Sequence, residues 1–413
     1  MPTEHAVPLY TVAPFVLMLL ATAVFPLWIP RWWEHHRNKL VVSAALGLPI
    51  LALYLARQPS ALLHTAEEYF SFVVLLAALY SISGGVLLRG DLVARPATNT
   101  AFLAVGAVLA SLVGTTGASM LLIRALLQTN RERMHVKHTV IFFIFLVSNI
   151  GGMLTPLGDP PLFLGYLQGV PFTWTFRLTP HWLLMNGLLL GLYAAWDAAM
   201  FAREPTAALL RDRRQTQPLT VEGTLNILWL GGVVLAVAFL PAPLREGAMI
   251  GLTALSLWRT PRPIRTANGF TASPMIEVAV LFFGIFLTMM PALELLRLRG
   301  DELGVHEPWQ FFWAVGALSS FLDNAPTYLA FLALAQGLRL SPDVVGVPNA
   351  ILTAISVGAV AMGANTYIGN APNFMVKAIA EEAGVTMPSF FGYILYSGGI
   401  LIPLFVLVTL AFF

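Results

Sequence analysis

Apolar stretches of 17 or more residues recur along nearly the whole chain, and they constrain its fold more than any other feature of the sequence. Tyr10 to Ile29, Glu68 to Leu88 and Ser389 to Phe413 are three of them. An α-helix needs about 20 such residues to cross the hydrocarbon of a bilayer. Only 11% of the 413 residues are charged and mean hydropathy is +0.76, whereas soluble domains carry about 25% charge. The chain therefore reads as an all-α polytopic membrane protein with the lipid bilayer as its surroundings. This composition excludes nucleic-acid binding, secreted disulfide scaffolds and disorder. Without cysteine there is no disulfide, thiolate metal site or cysteine nucleophile.

Spanning segments are expected near 10 to 29, 40 to 56, 68 to 88, 101 to 128, 140 to 168, 181 to 201, 223 to 240, 243 to 258, 275 to 296, 309 to 338, 350 to 382 and 389 to 413. The first has no basic n-region and no small-residue cleavage site, so it is expected to remain in the mature chain. Two segments are too long and too broken for simple helices. Segment 101 to 128 carries Gly114, Thr115, Thr116 and Gly117 near its middle, and 309 to 338 carries Asp323, Asn324 and Pro326 at the matching place. Both are expected to be re-entrant hairpins. Segments 140 to 168 and 350 to 382, interrupted by Pro and Gly, are expected to be broken helices, which at membrane depth must be buried in protein or line a wet cavity.

An internal repeat joins the halves. Gly152, Thr155, Gly158, Asp159, Pro161 and Phe163 are matched, at identical spacing, by Gly363, Thr366, Gly369, Asn370, Pro372 and Phe374. Residues 1–201 and 223–413 thus read as two repeats, joined by a cytoplasmic linker at 202–222 whose basic run is a solvated or headgroup-facing surface. Three crossings, a hairpin, a broken crossing and a last crossing give five crossings per half. An odd number inverts the second repeat, the plan of secondary transporters, with about ten crossings in all. With both termini outside the inner (cell) membrane, cytoplasmic loops hold 16 of the 23 basic residues, Arg31, Arg37, Lys39, Arg89, Arg95, Arg131, Arg133, Lys137, Arg203, Arg211, Arg213, Arg214, Arg259, Arg262, Arg265 and Lys377. That bias follows the positive-inside rule.

Ionisable residues at membrane depth are costly and point to function. Asp159 and Asp323 both occupy breaks, where helix ends and free carbonyls face a cavity; the plainer alternative is that each merely caps the half-helix after it. Ser148, Asn149, Thr155, Asn324, Asn365, Thr366, Asn370 and Asn373 supply oxygen ligands suited to a hard cation, or else helix-to-helix hydrogen bonds. Thr115, Thr116 and Gly117 at the first tip, with Gly152, Gly158, Pro326, Gly363 and Gly369, are backbone devices that let chain and helix ends approach closely. Arg124, near the end of the first hairpin, is expected to snorkel. Asp197, Glu277 and Glu294 are expected to reach the interface, and the eight histidines to lie in loops or at segment ends. No cofactor and no metal beyond a transported cation is expected. A carboxylate withdrawn from water holds its proton more tightly, so proton and cation compete for it.

At these two regions the sequence resembles the ion transporter superfamily, in its branch of NhaD-type sodium/proton antiporters and ArsB-type pumps. Asn149 to Asp159 is similar to the antiporter pattern of Asn, paired Gly, Thr-Pro and Gly-Asp, and Leu318 to Pro326 to its Leu-Ser, Asp-Asn, Pro motif. Two departures stand out: Gly114 to Ser119 replaces a second Asp-Asn pair, and Gly363 to Gly369 is nearer the broader permease pattern. The resemblance implies sodium and protons as coupling ions, an elevator mechanism and commonly a homodimer. Proteins of this branch are also described as citrate transporters, so a cation-coupled carrier of citrate or a dicarboxylate is the main alternative. It is kept alive by Asn365, Thr366 and Arg124, although neither tip carries the Ser-Asn-Thr of related carboxylate carriers. An arsenite or other oxyanion carrier and an intramembrane aspartyl protease are weaker readings, the last because Pro156 and Leu157 stand where Gly-x-Gly-Asp needs its first glycine.

Overall fold

The computed structural model describes residues 7–340 and 343–413. Over these the chain is an integral, multi-pass helical membrane protein. It opens with α1 (Ala13–Trp28), a short α2 (Pro30–Trp33), α3 (His36–Arg57) and α4 (Pro59–Ser83). A hairpin follows, formed by α5 (Pro96–Val113) and α6 (Thr115–Thr129), then a broken helix, α7 (Lys137–Leu146) and α8 (Pro160–Leu167), then α9 (Thr179–Phe201). After α10 (Thr206–Arg214) the same succession recurs: α11 (Leu225–Phe239), α12 (Leu244–Arg259), a short α13 (Arg262–Ala267), and α14 (Ser273–Arg299). A second hairpin, α15 (Pro308–Ser319) and α16 (Asn324–Gly337), precedes a second broken helix, α17 (Asn349–Met362) and α18 (Ala371–Glu382), and α19 (Phe390–Phe412) ends the chain. All twelve expected segments fall on these elements, within a few residues at most boundaries.

Local chemistry sets many of the helix starts. Proline occupies the first or second position of α4, α5, α8, α9, α14, α15 and α18, where its missing N–H would have no helical partner anyway. Among the described residues seven helical stretches are long and apolar enough to span a bilayer, with shorter apolar helices at Lys137–Met153, Leu225–Phe239 and Asn349–Asn365. Of the seven, the stretch containing α14 is the most buried, and small residues let it approach α3. A Cβ on Gly284 would stand 2.8 Å from that of Ser43, and one on Gly47 3.1 Å from the Leu287 side chain. Such contacts replace the hydrophobic effect as the glue between helices in lipid.

One finding adds to the sequence reading and another corrects it. The linker 202–222 carries structure: besides α10 it contains strand β2 (Gln217–Glu222), antiparallel to β1 (Leu87–Asp91) with Leu87 opposite Glu222 and Arg89 opposite Thr220. The register slips between Arg89 and Asp91, at Gly90 (φ 139°), where a side chain would press on the Leu219 backbone. Pairing between stretches so distant in the chain has no local periodicity to announce it.

The correction concerns Asp197, expected to reach outward at the end of its segment but fully buried in α9. It accepts from Arg133 Nη1 at 3.0 Å and from Asn99 Nδ2 at 3.2 Å, pairs with Arg133 Nη2 at 2.7 Å, and lies 2.8 Å from His138 Nε2. Arg133 Nε also lies 3.5 Å from Glu204, whose carboxylate accepts the backbone N–H groups of Met134 and His135. His138 sits at a segment end as expected but is buried there, stacked near Trp196. The cluster ties α5, the α6 to α7 connection and α9 together. Asp197→Ala leaves Arg133 buried without its closest counter-charge, so it is expected to lower the unfolding free energy by about 3–5 kcal/mol. Denaturation of the detergent-solubilised protein measures this, and a loss below ~1 kcal/mol would mean that solvent compensates the arginine. Glu277 and Glu294 are held too, by Lys39 Nζ at 2.6 Å and the Tyr54 hydroxyl at 2.7 Å.

Candidate functional site

Both broken helices are built by the same bonds. After α7 the backbone unwinds from residue 147 to 159, with one 3-10 turn at Ile150–Met153. The Ser111 hydroxyl of α5 donates to Gly151 O at 2.5 Å, and the Thr155 hydroxyl donates back to Ser111 O. In the second half Ser320 donates to Met362 O at 3.1 Å, and Thr366 donates to Ser320 O at 2.5 Å. In the register of the repeat Gly151 matches Met362, as Thr155 matches Thr366. The crossing point in each break is a pair of glycines: a Cβ on Gly158 would overlap Gly152 O, and one on Gly369 would overlap Gly363 O.

These bonds deliver Asp159 to the place where both hairpin tips and both breaks meet. The residue is 1% exposed. Oδ1 accepts from the Thr115 hydroxyl at 2.9 Å and from Asn370 Nδ2 at 3.0 Å, and Oδ2 accepts from Asn324 Nδ2 at 2.6 Å. Thr115 comes from the first tip, Asn324 from the second and Asn370 from the second break, so four segments share one acidic group. The side chain of Asp159 makes no capping bond to α8. Asp323 behaves differently. It caps α16, accepting from Ala325 N at 3.0 Å, so the plain capping alternative describes its contacts and not those of Asp159.

The polar shell extends beyond these donors. Asn370 Nδ2 also donates to Ser148 O at 3.1 Å, and Ser148 Oγ lies 2.9 Å from Ser119 Oγ. Asn149 donates to Asn373 Oδ1 at 2.7 Å, and Asn373 donates to Gly363 O and Thr366 O, both at 2.9 Å. Two buried acceptors have no donor: Asn149 Oδ1 and Asn365 Oδ1. Neutral amide oxygens of this kind are among the ligands that a hard cation takes. Asn324 and Asn370 can add their own oxygens by a half-turn of the amide. Among the described residues no lysine or arginine is paired with Asp159 or Asp323. Arg124 is half-buried and lines a separate cleft with Arg131, Arg133 and Lys137.

Not every expected site residue reaches Asp159. Thr155 and Thr366 spend their hydroxyls on the breaks, and Asn365 donates to Ser320 Oγ at 2.9 Å. Thr116 is half-buried with no side-chain hydrogen bond, Gly117 packs on Ser83, and Pro326 is buried in the first turn of α16. Ser111, Ser119 and Ser320 are structural partners that the sequence reading passed over. Aligning the hairpins as the breaks were aligned would have brought Ser111 and Ser320 almost into register.

Over residues 4 to 413 the sequence matches the family described as "Putative citrate transport". The chain belongs to that family. Among curated proteins it is similar to a "46 kDa membrane protein" of Mycobacterium leprae (strain TN), 26% identical over 257 residues, which cover 57% of this chain and 58% of that protein. The match thus spans little more than half of that relative's length. The description of that family speaks of transport, and cargo and coupling rest on the chemistry of the site.

Proposed function

We propose that the chain is a secondary carrier that exchanges a small monovalent cation, sodium by the resemblance of its motifs, for protons at Asp159, with Asp323 as a second carboxylate. The observation that carries this reading is the burial of Asp159 among three neutral donors with no basic partner. An ionised carboxylate is costly to move through a low-dielectric barrier, and either a proton or a bound cation cancels its charge. The loaded forms therefore cross and the empty anion does not, which makes exchange obligatory. Two inverted repeats, termini outside, elevator-like movement of hairpins and breaks against the other helices, and a homodimer complete the proposal.

Carriage of citrate or a dicarboxylate together with a cation is the second reading, and the match of the citrate-transport family over residues 4–413 favours it. A polyanion next to Asp159 would need bound cations to screen the two. Flux in proteoliposomes containing a pH dye, with the membrane potential clamped, separates the readings. Under exchange, the half-saturating cation concentration rises as pH falls, because one carboxylate cannot hold a proton and offer its full charge to a cation. A half-saturation constant that ignores pH, together with strict dependence on added citrate, would establish carboxylate symport instead.

A further inference from the structure

Away from the central site, three carboxylates meet where β1, the exit of the first hairpin and the linker helix come together. Asp91 ends β1, Glu132 follows α6 and Asp212 lies in α10. One oxygen from each lies within 4.8 Å of the others. Two of these acidic groups also carry an oxygen that has nothing to bind. Asp91 is 4% exposed and Glu132's side chain 9%, yet Asp91 Oδ1 and Glu132 Oε2 are shut off from solvent with no hydrogen-bond donor.

The neighbouring charges do not balance the cluster. Arg131, half exposed, donates to Glu132 Oε1 by Nε at 2.9 Å and Nη2 at 2.8 Å, and by Nη2 also to Gln215 Oε1 at 2.8 Å. Arg133 is committed to Asp197 and Glu204. Asp212 accepts the Ala94 N–H at 3.1 Å, and Gln128 lies beside Asp91. Burial and the charge of Glu132 push both Asp91 and Asp212 above the usual carboxylate range, although Arg131 acts against this on Asp91 and Arg133 and Arg213 on Asp212, as expected where like charges crowd with incomplete compensation.

We infer that Asp91, Glu132 and Asp212 form a site for a hard divalent cation that fastens the linker between the repeats to the exit of the first hairpin. All three ligands are carboxylate oxygens, the donors that magnesium, calcium and manganese prefer over softer metals. A bound ion supplies a partner for carboxylates that lack donors and cancels charge that Arg131, Arg133 and Arg213 leave. The site is independent of the transported species, since its residues share no hydrogen bond with Asp159 or its donors.

The test uses the purified full chain in lipid nanodiscs, titrated with manganese, magnesium and calcium by calorimetry and, for manganese, by electron paramagnetic resonance. Wild type should bind one ion outside the transport site, and Asp159→Asn should bind it equally well. Glu132→Gln and Asp91→Asn should each weaken binding about tenfold or more. Glu132→Gln keeps its Arg131 contact, so it decides the matter even if Asp91→Asn fails to fold. The bound ion should also slow tryptic cleavage after Arg211, Arg213 and Arg214 in wild type and not in Glu132→Gln. No saturable binding to folded wild type, binding that survives Glu132→Gln and disappears in Asp159→Asn, or binding without any change in cleavage would each overturn the inference.

Discussion

Asp159→Asn is expected to reduce coupled flux to the level of protein-free liposomes while leaving the protein folded. The amide matches the carboxylate in size and can still accept from the Thr115 hydroxyl and Asn370 Nδ2 through Oδ1. Opposite Asn324 Nδ2 it places a second N–H donor, which a half-turn of Asn324 relieves. The stability loss should therefore stay within about 1–2 kcal/mol. What the variant lacks is a group that can take up a proton or give full charge to a cation. Asp323→Asn tests the other carboxylate: asparagine caps a helix as well as aspartate does, so a loss of flux there reports charge and not the cap. Near wild-type exchange in folded Asp159→Asn would remove Asp159 as the carrier. Unfolding of that variant would instead assign it a structural role.

The second large effect is expected at the crossing points of the breaks. Gly158→Ala and Gly369→Ala each drive a methyl group into a carbonyl oxygen, that of Gly152 or Gly363. The obstacle is backbone and not a flexible side chain. Around Gly158 the backbone is pinned by Thr115 N donating to Gly158 O at 2.8 Å and by Gly158 N donating to Thr155 O at 3.0 Å. Both variants should lose more than about 4 kcal/mol, the range reached only when such a constraint is broken, and should appear as aggregate on fluorescence-detected size exclusion. Gly187→Ala in α9, where a Cβ meets nothing within 4 Å, is the control. It should be neutral or stabilising by up to about 1 kcal/mol. A monodisperse, transport-competent Gly158→Ala would show that the break relaxes around a side chain.

The recurrence of glycine and threonine at one spacing is what made the breaks readable. Gly152, Gly158 and Thr155 do local work, since each acts on its near neighbours in the chain or on the adjacent hairpin. Ser111 and Ser320 escaped notice because a serine in an apolar helix has many uses, and only its partner in the following break shows which one applies. Asp197 was misjudged for a similar reason. Position near a helix end suggests an interfacial residue, whereas Arg133, just before the first broken helix, and His138, in its first turn, hold it inside.

The sequence by itself determined the solvent, the helices, the two hairpin tips, the two breaks and the repeat that relates them. These follow from hydrophobic length, from proline and glycine within a helical turn or two, and from spacing along one chain. Tertiary structure alone decided that Asp159 is the carboxylate shared by four segments while Asp323 caps its own helix, since Thr115, Asn324 and Asn370 come from both halves of the chain. It also decided that the linker pairs with β1 and that Asp91, Glu132 and Asp212 converge. Hydrogen bonds and charge pairs act over a few ångströms of space, and which groups come that close is set by the packing of helices far apart in the chain.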